Sequence, residues 1–214
     1  MTMATLHYIF DPLCGWCYGA APLVKAAQAI PGLTVALHAG GMMTGNNRRA
    51  INDEWREYVI PHDKRIAEMT GQPFGEGYFN GLLRDTSAIM DSEPPITAIL
   101  AAEKLAGRGL DMLHRLQEAH YREGRRIADT PVLQALASEL GLASAPFIAE
   151  MRFNSGAPTA QHIAQSRALL AKVRGQGFPT FALQDNRGQL YQIPAGEYLG
   201  NVEGWKALLN NAVH

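Results

Sequence analysis

The chain has few cysteines, no long apolar run and almost no net charge, and each of these absences excludes a class of protein. Two cysteines among 214 residues are too few for the disulfide framework of a small secreted domain. No segment approaches the roughly 18 consecutive apolar residues that a transmembrane helix requires. The net charge of -1 leaves no basic surplus for nucleic acid. We therefore expect neither a membrane protein nor a nucleic-acid-binding protein.

The N-terminal sequence MTMATLHYIFDP also lacks the pattern of a secretion signal. It has no basic start that is followed by a long apolar stretch and a cleavage site with small residues. We therefore expect a cytoplasmic protein. In a reducing compartment, a close pair of cysteines is more often redox-active or metal-binding than structural.

The first forty residues show the pattern of a β-α-β unit. Residues 6–10 and 33–38 are short apolar runs with aromatic or β-branched members, which are typical of buried strands. Between them, the apolar positions of residues 15–30 recur at the spacing of one helix. This length is right for a crossover between two parallel strands.

The rest of the chain divides into a helical block and a return to strands. From about residue 46 to 175 the periodicity is helical and no strand is predicted, with Pro61 expected to kink or break a helix. Residues 179–183 and 189–193 then predict a hairpin, and Asn201 is expected to cap a final helix. This order predicts a small sheet domain that is interrupted by a helical domain.

Both cysteines lie in the stretch YIFDPLCGWCYG, where the first strand gives way to a helix. Cysteine attacks as the thiolate, and the N–H groups and partial positive charge at a helix N-terminus favour that anion. Cys14 occupies this position, and Cys17 lies one turn further on, where it can face back. We therefore predict that Cys14 is a nucleophile and that Cys17 resolves the mixed disulfide it forms.

The same spacing also fits two buried core thiols or half of a zinc site. A structural zinc ion needs about four ligands, and the seven histidines show neither a C-x-x-C partner nor H-x-x-x-H spacing. His7 and His38 fall on predicted strands and are interpreted as ordinary packed or surface side chains. We expect no metal and no cofactor.

A second motif, Gly177-Phe178-Pro179-Thr180, opens the late strand. Proline cannot donate to a sheet ladder, so at a strand start it indicates an edge or a special bend. The residues alone leave two interpretations open. Either the Phe178–Pro179 bond is cis and the motif lies beside the cysteines, or the bond is trans and the proline merely begins the strand. In the first interpretation, Phe178 presents backbone groups to an extended substrate.

These two motifs, with a helical block between them, resemble the DsbA family, and FDPLCGWCYG is most similar to its cytoplasmic, FrnE-like members. The resemblance covers the whole chain in the order of elements. It implies an α/β thioredoxin fold with a large all-helical insertion. Residues 1–43 and 159–214 would form the thioredoxin-like domain, and residues 44–158 the inserted domain.

The resemblance also implies an activity and a set of site residues. The protein would be a thiol–disulfide oxidoreductase or protein disulfide isomerase-like enzyme acting on protein or small-molecule disulfides and dithiols, glutathione among them. Cys14 would be the nucleophile, Cys17 the resolving thiol and Pro179 a cis proline. Trp16, Phe178 and Thr180 are the expected substrate-binding residues, although an aromatic side chain such as Trp16 can equally serve packing. No oligomeric state is predicted.

The sequence departs from the family pattern in three ways. Tyr8 stands where many thioredoxin-fold enzymes have a buried acid, so proton transfer with Cys17 needs water or another group, and Asp11 is expected only to cap its loop. Gly15 and Trp16 replace the proline and histidine of the strongly oxidising periplasmic enzymes, which predicts a weaker oxidant. There is no second cysteine pair, so electrons cannot be relayed between two dithiols within the chain.

Two other functions are compatible with this resemblance. The kappa-type glutathione transferases and hydroxychromene-carboxylate isomerases have a similar architecture, but they typically keep a serine where Cys14 stands. A non-enzymatic binding module, regulated through its cysteines, is the second alternative. The presence of both thiols disfavours the transferase or isomerase alternative.

Overall fold

The structure is a computed structural model that describes residues 4–213. Its strands are β1 (Ala4–Phe10), β2 (Leu33–Ala39), β3 (Arg49–Ala50), β4 (Ile89–Met90), β5 (Thr180–Gln184) and β6 (Leu190–Ile193). Four of them form a sheet in the order β2-β1-β5-β6. β2 runs parallel to β1, whereas β5 is antiparallel to both of its neighbours. This arrangement confirms the predicted thioredoxin fold.

β1 lies at the centre of this sheet and is buried on both faces. Leu6, Tyr8 and Phe10 point into the main core, because alternate residues of a strand share a face. Ile9 points the other way and packs with Val173 in a second cluster. Burial on both faces explains why the strand reads as a continuous apolar run.

The helices are α1 (Gly15–Gly19), α2 (Ala21–Gln28), α3 (Asp53–Thr70), α4 (Glu93–Ala106), α5 (Gly109–Tyr121), α6 (Thr130–Glu139), α7 (Ser144–Asn154), α8 (Ala157–Lys172) and α9 (Val202–Val213). The prediction of one helix over residues 15–30 is wrong, because Ala20 separates α1 from α2. Pro22 follows directly. It has no N–H to donate to the carbonyl of Tyr18, so the first helix cannot continue through it.

The inserted region is helical except for one pair of very short strands. The prediction of no strand between residues 46 and 175 is therefore wrong, since β3 pairs antiparallel with β4. Strands of two residues are too short to show an alternating pattern in the sequence. The domain boundaries, with residues 44–158 as the insertion, remain a prediction.

α3 continues through Pro61, so the predicted break in this helix is wrong. Asn52 begins it by accepting a hydrogen bond from the Trp55 N–H at 2.8 Å. Val59 and Ile66 are buried on either side of the proline, seven residues apart on one face. Packing on both sides therefore holds the helix together although one backbone donor is missing.

Among residues 4–213, no helix is both long enough and apolar enough to span a lipid bilayer.

The final helix joins the sheet to α2. Asn201 caps it, as predicted, by accepting a hydrogen bond from the Gly204 N–H at 3.0 Å. Trp205 is fully buried, and its indole N–H donates to the Leu23 carbonyl at 2.9 Å. Its ring lies edge-on to Phe181 of β5, with 5.2 Å between centroids. α9 thereby covers the sheet beside the strand that begins after Pro179.

Asp11 joins the end of β1 to the inserted helices. Its Oδ1 accepts hydrogen bonds from the Leu13 N–H and the Ser92 hydroxyl, both at 2.9 Å. Its Oδ2 accepts from the Met42 N–H at 2.6 Å. The expectation that Asp11 only caps its loop is too narrow, because the carboxyl group is enclosed and also binds the segment after β2 and the start of α4.

Burial raises the pKa of the Asp11 carboxyl to about 6, even though these three donors favour the ionised form. An unfolded aspartate has a pKa of about 3.9. The folded state therefore holds the proton more tightly. The stabilising contribution of this group is complete below about pH 4 and is lost as the pH rises through about 6.

Replacing Trp205 with alanine should lower the free energy of unfolding by about 3–5 kcal/mol, because it empties a fully buried site and removes a hydrogen bond. Urea denaturation at neutral pH measures this loss. The matched control is Asn210→Ala, an exposed position of the same helix, which should change stability by less than about 0.5 kcal/mol. A similarly small effect of Trp205→Ala would contradict the packing described for α9.

Replacing Ser92 with alanine should destabilise the fold by about 1–3 kcal/mol at pH 7.5, because a buried carboxylate loses a donor. The deficit should shrink at about pH 5, where the Asp11 carboxyl is protonated and depends less on that donor. Urea denaturation at both pH values tests this, with the exposed Ser138→Ala as control. An equal deficit at the two pH values would argue against the role given to Asp11.

Candidate active site

The two cysteines lie one behind the other at the start of α1, and both are free thiols. Cys14 is the residue that caps the helix, and its carbonyl accepts the N–H groups of Cys17 at 3.0 Å and Tyr18 at 3.1 Å. Its side chain is 6% exposed, whereas that of Cys17 is 0% exposed. Only Cys14 is therefore open to an incoming disulfide.

The late proline motif lies against Cys14. The Phe178–Pro179 bond is cis, as predicted. The Phe178 carbonyl accepts a hydrogen bond from the Cys14 thiol, with 3.4 Å between oxygen and sulfur. The Phe178 ring packs on Gly40, where a side chain would overlap it. The fold thus brings together the two motifs that the sequence singled out.

Cys17 lies in an apolar interior that disfavours its charged form. Burial raises the pKa of this thiol well above its usual value, and the neighbouring Cys14 sulfur raises it further. Tyr8, at the position of the missing acid, donates its hydroxyl to the Cys17 carbonyl at 3.3 Å. Burial also raises the pKa of the Tyr8 phenol, so it stays neutral. Cys17 therefore needs a proton acceptor other than Tyr8.

Two grooves meet at Trp16. The first has a volume of about 310 Å³, and its lining includes Cys14, Trp16, Met43, Asp63 and Tyr78. The second, of about 360 Å³, lies on the other side of Trp16 and is lined by residues of the late proline segment and the loop before α9. Trp16 is half-buried and lies at the edge of both grooves, which is compatible with the predicted apolar rim.

The two other expected substrate-binding residues are placed differently from each other. Phe178 has its carbonyl against Cys14, so its backbone faces the site. Thr180 is buried, and its hydroxyl donates to the Gly177 carbonyl at 2.7 Å. The Thr180 side chain therefore holds the proline segment in place.

Sequence reasoning missed Asp63, an acid of α3 that reaches the first turn of α1. Its Oδ2 accepts a hydrogen bond from the Tyr78 hydroxyl at 2.8 Å. Its Oδ1 lies where any side chain on Gly15 would come within 2.8 Å. The available signal was its position between Val59 and Ile66 on the buried stripe of α3, because a charged residue on such a stripe needs an explanation.

The histidines on the sheet form a pair that stands apart from the cysteines. Nδ1 of His7 and Nε2 of His38 are 2.9 Å apart. Burial lowers the pKa of His38 to about 4, so this pair is uncharged at neutral pH. Within the described residues, no group of three or more side chains could hold a metal ion. The contact between the two rings and their partial burial agree with interpreting these histidines as packed side chains.

Residues 5–201 of the chain match the family of DSBA-like thioredoxin domains. Cytosolic disulfide reductase DsbM from Pseudomonas aeruginosa is 54% identical, with 97% of each chain covered and a TM-score of 0.91. A structure of DsbM with GSH has 52% identity, covers 97% of this chain and 98% of that one, and has a TM-score of 0.89.

A putative protein disulfide isomerase from Nitrosomonas europaea shares the fold. It has 24% identity, covers 97% of this chain and 96% of that one, and has a TM-score of 0.79. The search of curated proteins gave no significant match. With the family match spanning nearly the whole chain, the protein belongs to the DSBA-like thioredoxin family and is a thiol–disulfide oxidoreductase.

Proposed function

We propose that the protein is a cytoplasmic disulfide reductase that takes its electrons from glutathione. The observation that carries this proposal is the Cys14 thiol against the Phe178 carbonyl, with Cys17 enclosed behind it. The relative DsbM supports the direction and the compartment, because it is described as a cytosolic disulfide reductase and has been solved with GSH. The Gly15-Trp16 pair, without the histidine of strongly oxidising enzymes, agrees with that direction.

In the proposed reaction, the Cys14 thiolate attacks one sulfur of a substrate disulfide. A Cys14–substrate bond forms, the substrate S–S bond breaks, and the second sulfur leaves with the electron pair and takes up a proton. Cys17 then loses its proton and attacks the Cys14 sulfur. The substrate leaves as a dithiol, reduced by two electrons, and the enzyme holds a Cys14–Cys17 disulfide.

Two glutathione molecules would complete the cycle. The first attacks the Cys14–Cys17 disulfide and forms a mixed disulfide with Cys14, and Cys17 regains its proton. The second attacks the glutathione sulfur of this adduct, which releases glutathione disulfide and the reduced enzyme. The burial that raises the pKa of Cys17 favours its thiol form, so this sulfur takes up a proton once it has been displaced from the disulfide.

The surrounding residues have distinct proposed roles. Pro179 and Phe178 present the backbone beside Cys14 to an extended substrate segment. Trp16 forms the apolar wall between the two grooves and contacts the substrate on either side. Thr180 contributes by fixing the Gly177 carbonyl, which orders the segment that leads into the cis bond.

The alternative functions make different use of the same site. A glutathione transferase or isomerase needs one group to bind or activate glutathione and has no use for a resolving thiol. Here a second thiol lies one helical turn behind the first, within an enclosed space. This arrangement favours exchange through two sulfurs over conjugation at one.

Replacing Cys17 with serine should trap the mixed disulfide, because Cys14 can still attack but nothing can resolve the adduct. After incubation with glutathione disulfide, intact mass should increase by one glutathione for each chain. Wild-type enzyme under the same conditions should instead lose two hydrogens and carry no adduct. A Cys17→Ser protein that remains free of adduct would contradict the assigned order of attack.

Replacing Cys14 with serine should reduce insulin reduction with glutathione to the uncatalysed rate, because the remaining thiol is enclosed. Urea denaturation of the same variant checks that the fold is intact. Ser138→Ala, on an exposed helix face, should keep the full rate. A Cys14→Ser enzyme with appreciable turnover would rule out the proposed reductase mechanism, and glutathione conjugation by that variant would support the transferase alternative.

A further inference from the structure

Asp63 places a carboxyl group beside the cysteine pair from a helix of the inserted region. The side chain is only 4% exposed, yet it belongs to the lining of the 310 Å³ groove onto which Cys14 opens. Its Oδ1 lies where a Cβ atom on Gly15, the residue after Cys14, would come within 2.8 Å. Asp63 and Cys14 thus border the same space.

The hydrogen bonds of Asp63 leave one oxygen available. Oδ2 accepts the Tyr78 hydroxyl at 2.8 Å, and none of the residues 4–213 donates a hydrogen bond to Oδ1. Oδ1 therefore keeps its capacity to hold a proton or to accept a hydrogen bond from a partner outside the fold. Asp63 lines the groove onto which Cys14 opens, so a molecule bound in that groove can be this partner.

Asp11, the other acid near the pair, is not suited to the same task. Both of its oxygens are occupied by donors from three segments, and it is fully enclosed. A proton on Asp11 cannot be passed to a molecule in the groove without breaking the contacts that join the sheet to the insertion. Asp63 is the acid that lines the groove onto which Cys14 opens.

We propose that Asp63 is the general acid and base of the reaction and exchanges a proton with the substrate sulfur that leaves or attacks in the groove. This inference rests on the proposed function, since it assigns a residue to the proton that exchange at Cys14 requires. When Cys14 attacks, the departing sulfur leaves as a thiolate, and protonated Asp63 donates its proton to that sulfur. Asp63 is then a carboxylate.

The return half of the cycle restores the proton. The Asp63 carboxylate takes it from a glutathione thiol, whose sulfur attacks the Cys14–Cys17 disulfide as a thiolate. No electrons pass through Asp63, because the electron pairs move only between sulfur atoms. Over one cycle a disulfide and two glutathione molecules become a dithiol and glutathione disulfide, with no net change in protons.

The electrostatics of the groove suit an acid that works near neutral pH. Burial raises the pKa of Asp63 to about 6, while the Tyr78 hydrogen bond and the nearby His62 act in the opposite direction. Tyr78 and Tyr121 face Asp63 from other elements, and burial raises the pKa of both phenols, so they stay neutral. Cys14, Tyr58 and His62 are the other titratable groups that border this groove.

The test compares two reactions of the reduced enzyme over a range of about pH 4.5–8.5. One is single-turnover oxidation by hydroxyethyl disulfide, in which a thiolate leaves, followed by quenching and intact mass. The other is alkylation of Cys14 by iodoacetamide, in which iodide leaves and no acid is needed. The ratio of the two rates cancels the ionisation of Cys14, which both reactions share.

For the wild type, the ratio of exchange to alkylation should fall as the pH rises through about 6, because Asp63 loses its proton. In Asp63→Asn the ratio should not change with pH. At about pH 5 it should be about a hundredfold lower than in the wild type, which is the lower end of what general acid catalysis contributes. His62→Gln should still show the fall expected of the wild type, with its midpoint at higher pH, because His62 acts to lower the pKa of Asp63. The exposed Ser138→Ala should keep the wild-type profile.

Tyr78→Phe tests whether the pH profile follows the ionisation of Asp63, which it would not do if Asp63 had only a structural role. Losing the donor to the carboxylate favours the protonated form, so the midpoint of the profile should shift to higher pH. This variant keeps the inference testable even if Asp63→Asn does not fold. An unmoved midpoint in Tyr78→Phe would overturn it.

Two further outcomes would also overturn the inference. An Asp63→Asn ratio that still falls like the wild type would mean that another group supplies the proton. Equal losses in alkylation and exchange would mean that Asp63 acts on Cys14 and not on the substrate sulfur. In both cases the proposed function survives if Cys14→Ser is inactive and Cys17→Ser still traps the adduct.

Discussion

The burial of one carboxyl group, that of Asp11, is the constraint on which the site geometry depends. A carboxylate taken out of water is strongly unfavourable unless donors replace the lost hydration. Here the donors come from the loop before Cys14, the segment after β2 and the start of α4. These donors meet at Asp11 only when the inserted helices are packed against the end of β1. The Cys14 N–H also donates to the Asp11 carbonyl at 3.1 Å, so the cysteine is positioned by the same residue.

Asp11 and Asp63 show how environment separates the roles of two similar acids. Burial raises the pKa of both to about 6. Asp11 has all of its hydrogen-bonding capacity committed within the fold, which makes it a structural group. Asp63 has one oxygen bound by Tyr78 and lines the groove onto which Cys14 opens, which suits it to exchange protons there. The difference lies in the donors around each group and not in its intrinsic acidity.

Much of the fold could be predicted because its signals are local. β1, the turn at Pro12 and the start of α1 follow directly in the sequence, so Cys14 could be placed at a helix start from the residues alone. The Phe178–Pro179 motif was found for the same reason. That the two motifs meet, with sulfur and carbonyl 3.4 Å apart, depends on β5 pairing antiparallel with β1, and this followed only from the family resemblance.

The features that were missed depend on contacts between distant parts of the chain. Pro61 remains within α3 because the buried residues on either side hold that helix against the core, an effect that proline statistics do not contain. β3 and β4 are strands because they pair with each other, and two residues each are too few to show an alternating pattern of apolar and polar side chains. Asp63 could be noticed on a buried helical stripe, but its approach to Gly15 follows only from the packing of α3 on α1.

That approach links the residues between the cysteines to the inserted region. A Cβ atom on Gly15 would lie 2.8 Å from the Asp63 carboxyl oxygen and 3.1 Å from the Ile66 side chain, so these two side chains of α3 would have to shift to make room for it. A proline at this position, as in the strongly oxidising enzymes that the sequence resembles, would displace the Asp63 carboxyl group from its present place. The dipeptide within the dithiol and the position of this carboxyl group are therefore linked. Exchanging the dipeptide alone would alter both the reactivity of the sulfur pair and the acid that faces it.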